Sequence, residues 1–192
     1  MPLTQRIQDQ FQASIQVLID AADNLTEPIG QAARAMTDCL LAEGKILTCG
    51  LGPSRLASEH LAAILSDRLD KDRPGLAALA LRSEGAAMVD DTDAGLGLAR
   101  QVQALGQPGD VLVTFSTYGH APAALEAVRA AQERELRVVV VTGGDSGLLG
   151  GALTENDILI CVPAESAQRI HEAILLTVHC LCDGVDFFLL GA

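Results

Sequence analysis

Apolar positions near the start of the chain recur at helical spacing. Ile7, Phe11, Ile15, Leu18 and Ile19 fall on one face of a helix predicted over 4–22. The pattern breaks at Asp23-Asn24-Leu25-Thr26-Glu27-Pro28, where Thr26 reads as an N-cap and Pro28 as a first-turn residue. A second helix then runs to about Glu43 and stops at Gly44. Beyond it, short apolar runs alternate with helical stretches. Strands are predicted at 45–49, 76–81, 110–115, 137–142 and 157–162. Helices are predicted over 54–69, the second half of 85–105, 122–134 and 166–190. The run Val138-Val139-Val140-Val141 has the composition of a strand buried on both faces, as parallel strands are. Strands separated by helices indicate βαβ units, hence an α/β fold with a parallel sheet between helical layers and two extra N-terminal helices. No linker or repeat interrupts the pattern. Residues 1–192 therefore read as one domain, a helical pair over 1–43 followed by an α/β core over 44–192.

Composition narrows the classes of function. The chain is 49% hydrophobic and 20% charged, which disfavours disorder. Thirteen basic and 25 acidic residues give a net charge of −12. That removes the basic footprint a nucleic-acid backbone requires, and leaves a solvated acidic surface that a basic protein could still meet. Cys39, Cys49, Cys161, Cys180 and Cys182 are odd in number and form no Cys-x-x-Cys pair. They read as reduced, mostly buried thiols. The N-terminus lacks a basic and long-apolar signal pattern, and no apolar run looks long enough to span a bilayer. No membrane contact and a cytoplasmic location are expected.

In parallel α/β sheets ligands bind beyond the carboxyl ends of the strands. Three loops lie there: Cys49-Gly50-Leu51-Gly52-Pro53-Ser54-Arg55, Ser116-Thr117-Tyr118-Gly119-His120-Ala121-Pro122 and Thr142-Gly143-Gly144-Asp145-Ser146-Gly147. In the first, glycines allow close backbone approach and Ser54 can cap a helix or donate to an anion. It has neither the lysine of a P-loop nor the third glycine of a dinucleotide fingerprint, so a plain turn and a ligand loop both fit it. In the second, two hydroxyls suit a phosphomonoester, and helix capping accounts for them equally. Two such loops in one sheet favour a phosphate site over either alone.

These residues resemble the sugar isomerase (SIS) domain family, in the subgroup that holds phosphoheptose isomerase and the DnaA initiator-associating protein. Cys49-Gly50-Leu51-Gly52-Pro53-Ser54 is similar to its "CGNG-x-S" loop, and Ser116 to Ala121 to its "STSGNS" loop. Arg73-Pro74, Gly109-Asp110-Val111-Leu112 and Val141 to Gly147 match further family segments. The resemblance implies a three-layer fold with a five-stranded parallel flavodoxin-like sheet, and a homotetramer with ligand sites at subunit interfaces. Ser166 to Glu172 and Leu176-Thr177-Val178-His179-Cys180-Leu181-Cys182-Asp183 look closer to the initiator-associating branch.

The resemblance also implies site residues. Phosphosugar contacts fall on Ser54, Ser116, Thr117, Gly119, Asp91 and Thr142. The catalytic histidine of the isomerases falls on His179, and their glutamate base falls on Ile64, which accepts no proton. Glu59 beside His60 is rotated away from that position by about 100°. The family's metal ligands fall on His60, Ile64, His171 and His179, so zinc on three histidines is conceivable though none is required. Leu51, Pro53, Tyr118, His120 and Ala121 replace polar or small residues of the phosphate loops. The expectation that follows is a degenerate site on a protein that is not an enzyme, regulating replication initiation through the DnaA initiator. The alternatives are a phosphoheptose isomerase and a sugar-phosphate sensor.

Overall fold

A computed structural model of the chain describes residues 1–82 and 96–191. Five strands, β1 (Ile46–Gly50), β2 (Ala78–Ala80), β3 (Val111–Tyr118), β4 (Arg137–Gly143) and β5 (Ile158–Val162), form one parallel sheet in the order β2-β1-β3-β4-β5. Alternation along the strands sends side chains into two cores. Val111, Val113, Phe115, Val139 and Val141 pack with α1 (Leu3–Leu41), α2 (Ser54–Ser66) and α6 (Ala167–Leu190). Leu112, Val138 and Val140 pack with α3 (Gly97–Leu105), α4 (Pro122–Glu133) and α5 (Gly147–Gly151) on the other face. The three-layer α/β architecture expected from the sequence is the one observed.

The two ends of the sheet differ. At the amino ends, buried or half-buried carboxylates bind the strand starts. Asp110 accepts from the amides of Lys45 (2.9 Å) and Gln107 (2.8 Å) and from Lys45 Nζ (2.6 Å). Asp157 accepts from the amides of Val138 (2.9 Å) and Thr154 (2.8 Å). At the carboxyl ends the strand order reverses between β1 and β3, and the loops there diverge to leave a crevice.

Two expectations are corrected. The N-terminal helical pair is a single helix of 39 residues, with Pro28 inside it. Asn24 and Thr26, read as a break, instead bond back to the carbonyls of Asp20 (2.6 Å) and Ala22 (2.6 Å) within the helix. Packing overrides the local breaker: Leu25, Ala32, Ala33 and Met36 are buried against the core, so the apolar face continues through the proline. Second, α6, at 24 residues, is long and apolar enough to cross a membrane by length and composition. Here it packs against α1, α2 and the sheet, and its residues Ile170, Ala173, Ile174, Val178, Leu181 and Val185 belong to the core.

A continuous α1 makes a testable demand on Pro28. An interior proline costs a helix hydrogen bond, whereas a first-turn proline costs nothing. Pro28→Ala is expected to raise stability to urea by about 1–3 kcal/mol. Equal or lower stability would mean that the chain begins a new helix there.

Candidate functional site

The β1–α2 loop is tightly wound. A Cβ on Gly50 would lie 2.5 Å from the Ser54 carbonyl oxygen, so only glycine fits. The β3–α4 loop depends on Gly119 in the same way, since a Cβ there would lie 2.0 Å from the carbonyl oxygen of Ser146. Both following helices start without a side-chain cap, at Ser54 and at Pro122. At α2 the amides of Ser54, Arg55 and Leu56 donate to the carbonyls of Leu51 (3.2 Å), Gly52 (3.2 Å) and Pro53 (3.3 Å), and Pro122 has no amide hydrogen, so it is the helix dipoles that favour an anion there.

Between these helix starts lies a cavity of about 280 Å³ lined by Gly50, Ser54, Ser116, Thr117, Tyr118 and His120 among others. Its hydroxyls are engaged by groups of the protein itself. Ser116 Oγ donates to the Tyr118 carbonyl (2.6 Å), Ser54 Oγ lies 3.4 Å from Thr117 Oγ1, and Thr117 Oγ1 lies 2.6 Å from His171 Nε2. Among the described residues no lysine or arginine lines this cavity. An anion here would be held by hydroxyls.

A second cavity, of about 660 Å³, shares Ser54 with the first. Apolar side chains of Leu56, Ala57, Ile174 and Leu175 form much of its wall, and His60, His171, Glu172 and His179 bring the polar groups. His60 on α2 and His179 on α6 meet with Nε2 atoms 3.0 Å apart and ring planes at 74°. Such a contact needs one protonated Nε2 and one bare one. Burial, and then the neighbouring His179, pushes the His60 pKa below the ordinary imidazole value and favours the neutral ring. One turn along α2, Ile64 packs against the apolar core and provides no carboxylate. Glu59 points elsewhere, to Arg82 (3.1 Å) and Arg55 (3.5 Å).

The carboxylate that does line the cavity is Glu172, held by Ser14 Oγ (2.6 Å) and Arg169 (2.9 Å). Sequence reasoning passed over it as part of a motif. Its signal was helical position, since Glu172, Leu175 and His179 follow i, i+3, i+7 spacing on one face of α6.

The remaining predicted site residues are distributed as follows. Thr142 is fully buried on β4, its hydroxyl has no partner, and it does not line the Ser54–Ser116 cavity. Gly119 supports the loop from behind, against Ser146. Asp91 lies outside the described residues. The three-histidine zinc site is not assembled: His171 bonds to Thr117 while His60 and His179 bond to each other. Among the described residues no cluster of three His, Cys, Asp or Glu side chains is placed to hold a metal. The donor set therefore does not fit the family's metal. The thiols are no better suited to chemistry. All five are free, and burial pushes Cys49 up to about 11 and, with Asp186 beside it, Cys182 up to about 12.

A crevice, a hydroxyl loop and paired helix starts at a parallel sheet's switch point define a three-layer α/β domain of ligand-binding type, and the SIS domain family matches residues 10–143. The chain belongs to that family, and within it to the phosphoheptose isomerase subgroup. It is 45% identical to the phosphoheptose isomerase of Aromatoleum aromaticum, over 100% of this chain and 98% of the relative. It is 47% identical to that of Thiobacillus denitrificans with the same coverage. The structure of a phosphoheptose isomerase from Francisella tularensis superposes with a TM-score of 0.91 at 36% identity, over 97% of this chain and 99% of that one. Phosphoheptose isomerase GmhA from Neisseria gonorrhoeae gives 0.88 at 38%, over 96% and 99%. These relatives overturn the expectation of a non-catalytic regulator of replication initiation acting on DnaA. That expectation rests on the single position Ile64, whereas the relatives match the chain from end to end.

Proposed function

We propose that the chain is an aldose–ketose isomerase of sugar phosphates. The reaction that its relatives' name suggests is sedoheptulose 7-phosphate to D-glycero-D-manno-heptose 7-phosphate. The observation that carries the reading is Ser54, which lines both the hydroxyl cavity and the histidine cavity. A phosphate beside Ser54, Ser116 and Thr117 directs the rest of a sugar toward His60 and His179. Ser54 and His60 are about 9 Å apart along α2, comparable with an extended seven-carbon chain.

The chemistry is proton transfer. A proton leaves C1 of the ketose while O2 gains one, giving an enediol. O1 then gives up a proton and C2 receives one. The groups lining the cavity that can move these protons are the neutral His60, its partner His179, His171 and Glu172. The apolar wall keeps the enediol from water. A second reading, a sensor that binds sugar phosphate without turnover, rests on Ile64 alone.

Three further expectations belong to this reading. The protein works in the cytoplasm, where its five cysteines stay free. Its ligand is a sugar phosphate. It is a homo-oligomer, as the exposed stripe of Leu3, Ile7, Phe11, Ile15 and Ile19 on the first half of α1 supports, and the family resemblance sets the expected copy number at four. Residues 1–20 on that stretch hold only Arg6, Asp9 and Asp20 as charged side chains, so two copies can meet there without the repulsion of the acidic body.

Purified protein is expected to interconvert the two heptose phosphates, with His179→Ala lowering kcat at least about a hundredfold. No turnover, together with a thermal shift on adding sedoheptulose 7-phosphate, would select the sensor. Neither turnover nor shift would remove both readings. A base with a lowered pKa stays unprotonated into mildly acidic solution. The acid limb of kcat/KM is therefore expected below the ordinary imidazole pKa of about 6.5. A limb above that value would contradict a desolvated His60. For assembly, Phe11→Glu is expected to lower the mass found by light scattering, and an unchanged mass would place the interface elsewhere.

A further inference from the structure

Arg73 and Asp186 form an ion pair withdrawn from water, with side chains 2% and 3% exposed and Nε 2.5 Å from Oδ1. Neither lines the two cavities of the site. The guanidinium also donates to the carbonyls of Leu65 (2.9 Å), Ile64 (3.2 Å) and Asp67 (3.2 Å). Besides the adjacent Pro74 carbonyl (3.2 Å), its partners thus come from the last turn of α2, the residue after it, and α6. Last-turn carbonyls otherwise lack partners within the helix, and a cation suits that end of the dipole. A single planar group therefore joins the end of α2 to α6. Lysine would keep the charge and lose the fork that serves both helices at once.

Burying such a pair is weak evidence for net stability, because desolvation offsets the attraction. Its consequence is geometric. α2 and α6 are also the helices that bring His60 and His179 together. His60 lies about 6 Å along α2 from Ile64, and His179 about 10 Å along α6 from Asp186. A single bond between two imidazoles at a cavity wall is too weak to set the spacing of two helices. We infer that Arg73 and Asp186 are positioning residues: their buried clasp holds α2 and α6 at the separation where the rings of His60 and His179 meet. The catalytic consequence rests on the isomerase reading, while the geometric one does not.

The test uses full-length protein labelled with ¹⁵N-histidine, with ring signals assigned from His60→Gln and His179→Gln. Wild type is expected to show complementary tautomers, one ring protonated at Nε2 and the other not. Arg73→Lys is expected to keep the wild-type circular dichroism while both rings move to the mixed tautomers of free imidazole. With a heptose phosphate, kcat is expected to fall at least about tenfold with KM little changed, because the Ser54 cavity lies at the other end of α2. Wild-type ring signals in Arg73→Lys, or wild-type kcat, would overturn the inference even if the protein melted earlier. Asp186→Asn, which preserves shape, is read by the same signals should Arg73→Lys fail to fold. If wild type shows no turnover, the isomerase reading falls, and the ring signals still decide whether the clasp sets the pair.

Discussion

The sheet is buried on both faces, and that constraint decides where anything polar can happen. With α1, α2 and α6 over one face and α3, α4 and α5 over the other, strand side chains meet mostly apolar neighbours, Thr48 bonding to the Ser58 carbonyl (2.8 Å) and Cys49 Sγ to Thr114 Oγ1 (3.3 Å) within the layers. Water and ligands reach the strands only at their ends. At the amino ends, Asp110 and Asp157 bind the strand starts and their preceding loops. At the carboxyl ends, β1 and β3 deliver two tight loops and two uncapped helix starts to one crevice.

From that crevice the site extends along α2. The helix begins at Ser54 in the hydroxyl cavity, presents His60 to the second cavity two turns later, and ends where Arg73 binds the carbonyls of Ile64 and Leu65. On the proposed isomerase reading, binding, proton transfer and positioning are thus arranged in sequence on one element. α6 meets it with His171 toward the anion end, His179 at His60, and Asp186 at the clasp. Replacement of a carboxylate by Ile64 leaves imidazoles and Glu172 as the groups that can accept a proton.

Much of this was legible in the sequence. The all-valine run of β4 and the alternation of strands with helices carry the fold class, because two-sided burial leaves few polar positions, Thr48, Thr114 and Thr142 among them, to confuse the period. The tight turn after β1 was legible because Gly50 answers to a steric demand from Ser54, four residues on, whereas Gly119 answers to Ser146, 27 residues away. Pro28 misled, since a local breaker says nothing of the tertiary face on which Leu25 and Met36 pack. Length and composition could not tell that α6 is a core helix. Glu172 and the Arg73–Asp186 pair were invisible because their partners are far away in the chain, Ser14 lying 158 residues from Glu172 and Asp186 lying 113 from Arg73. Ile64 packs against the core and accepts no proton, and the likeness of the whole chain to isomerases outweighs that one position.

The central claim is that one sugar phosphate spans both cavities, with Ser54 at their junction. A crystal structure with sedoheptulose 7-phosphate tests it most directly. The account predicts the phosphate beside Ser54, Ser116 and Thr117, with C1 and C2 within about 3.5 Å of an imidazole nitrogen of His60 or His179. A sugar phosphate bound with its phosphate at the histidines, or in the separate cleft of Tyr118, Asp145 and Glu165, would contradict it.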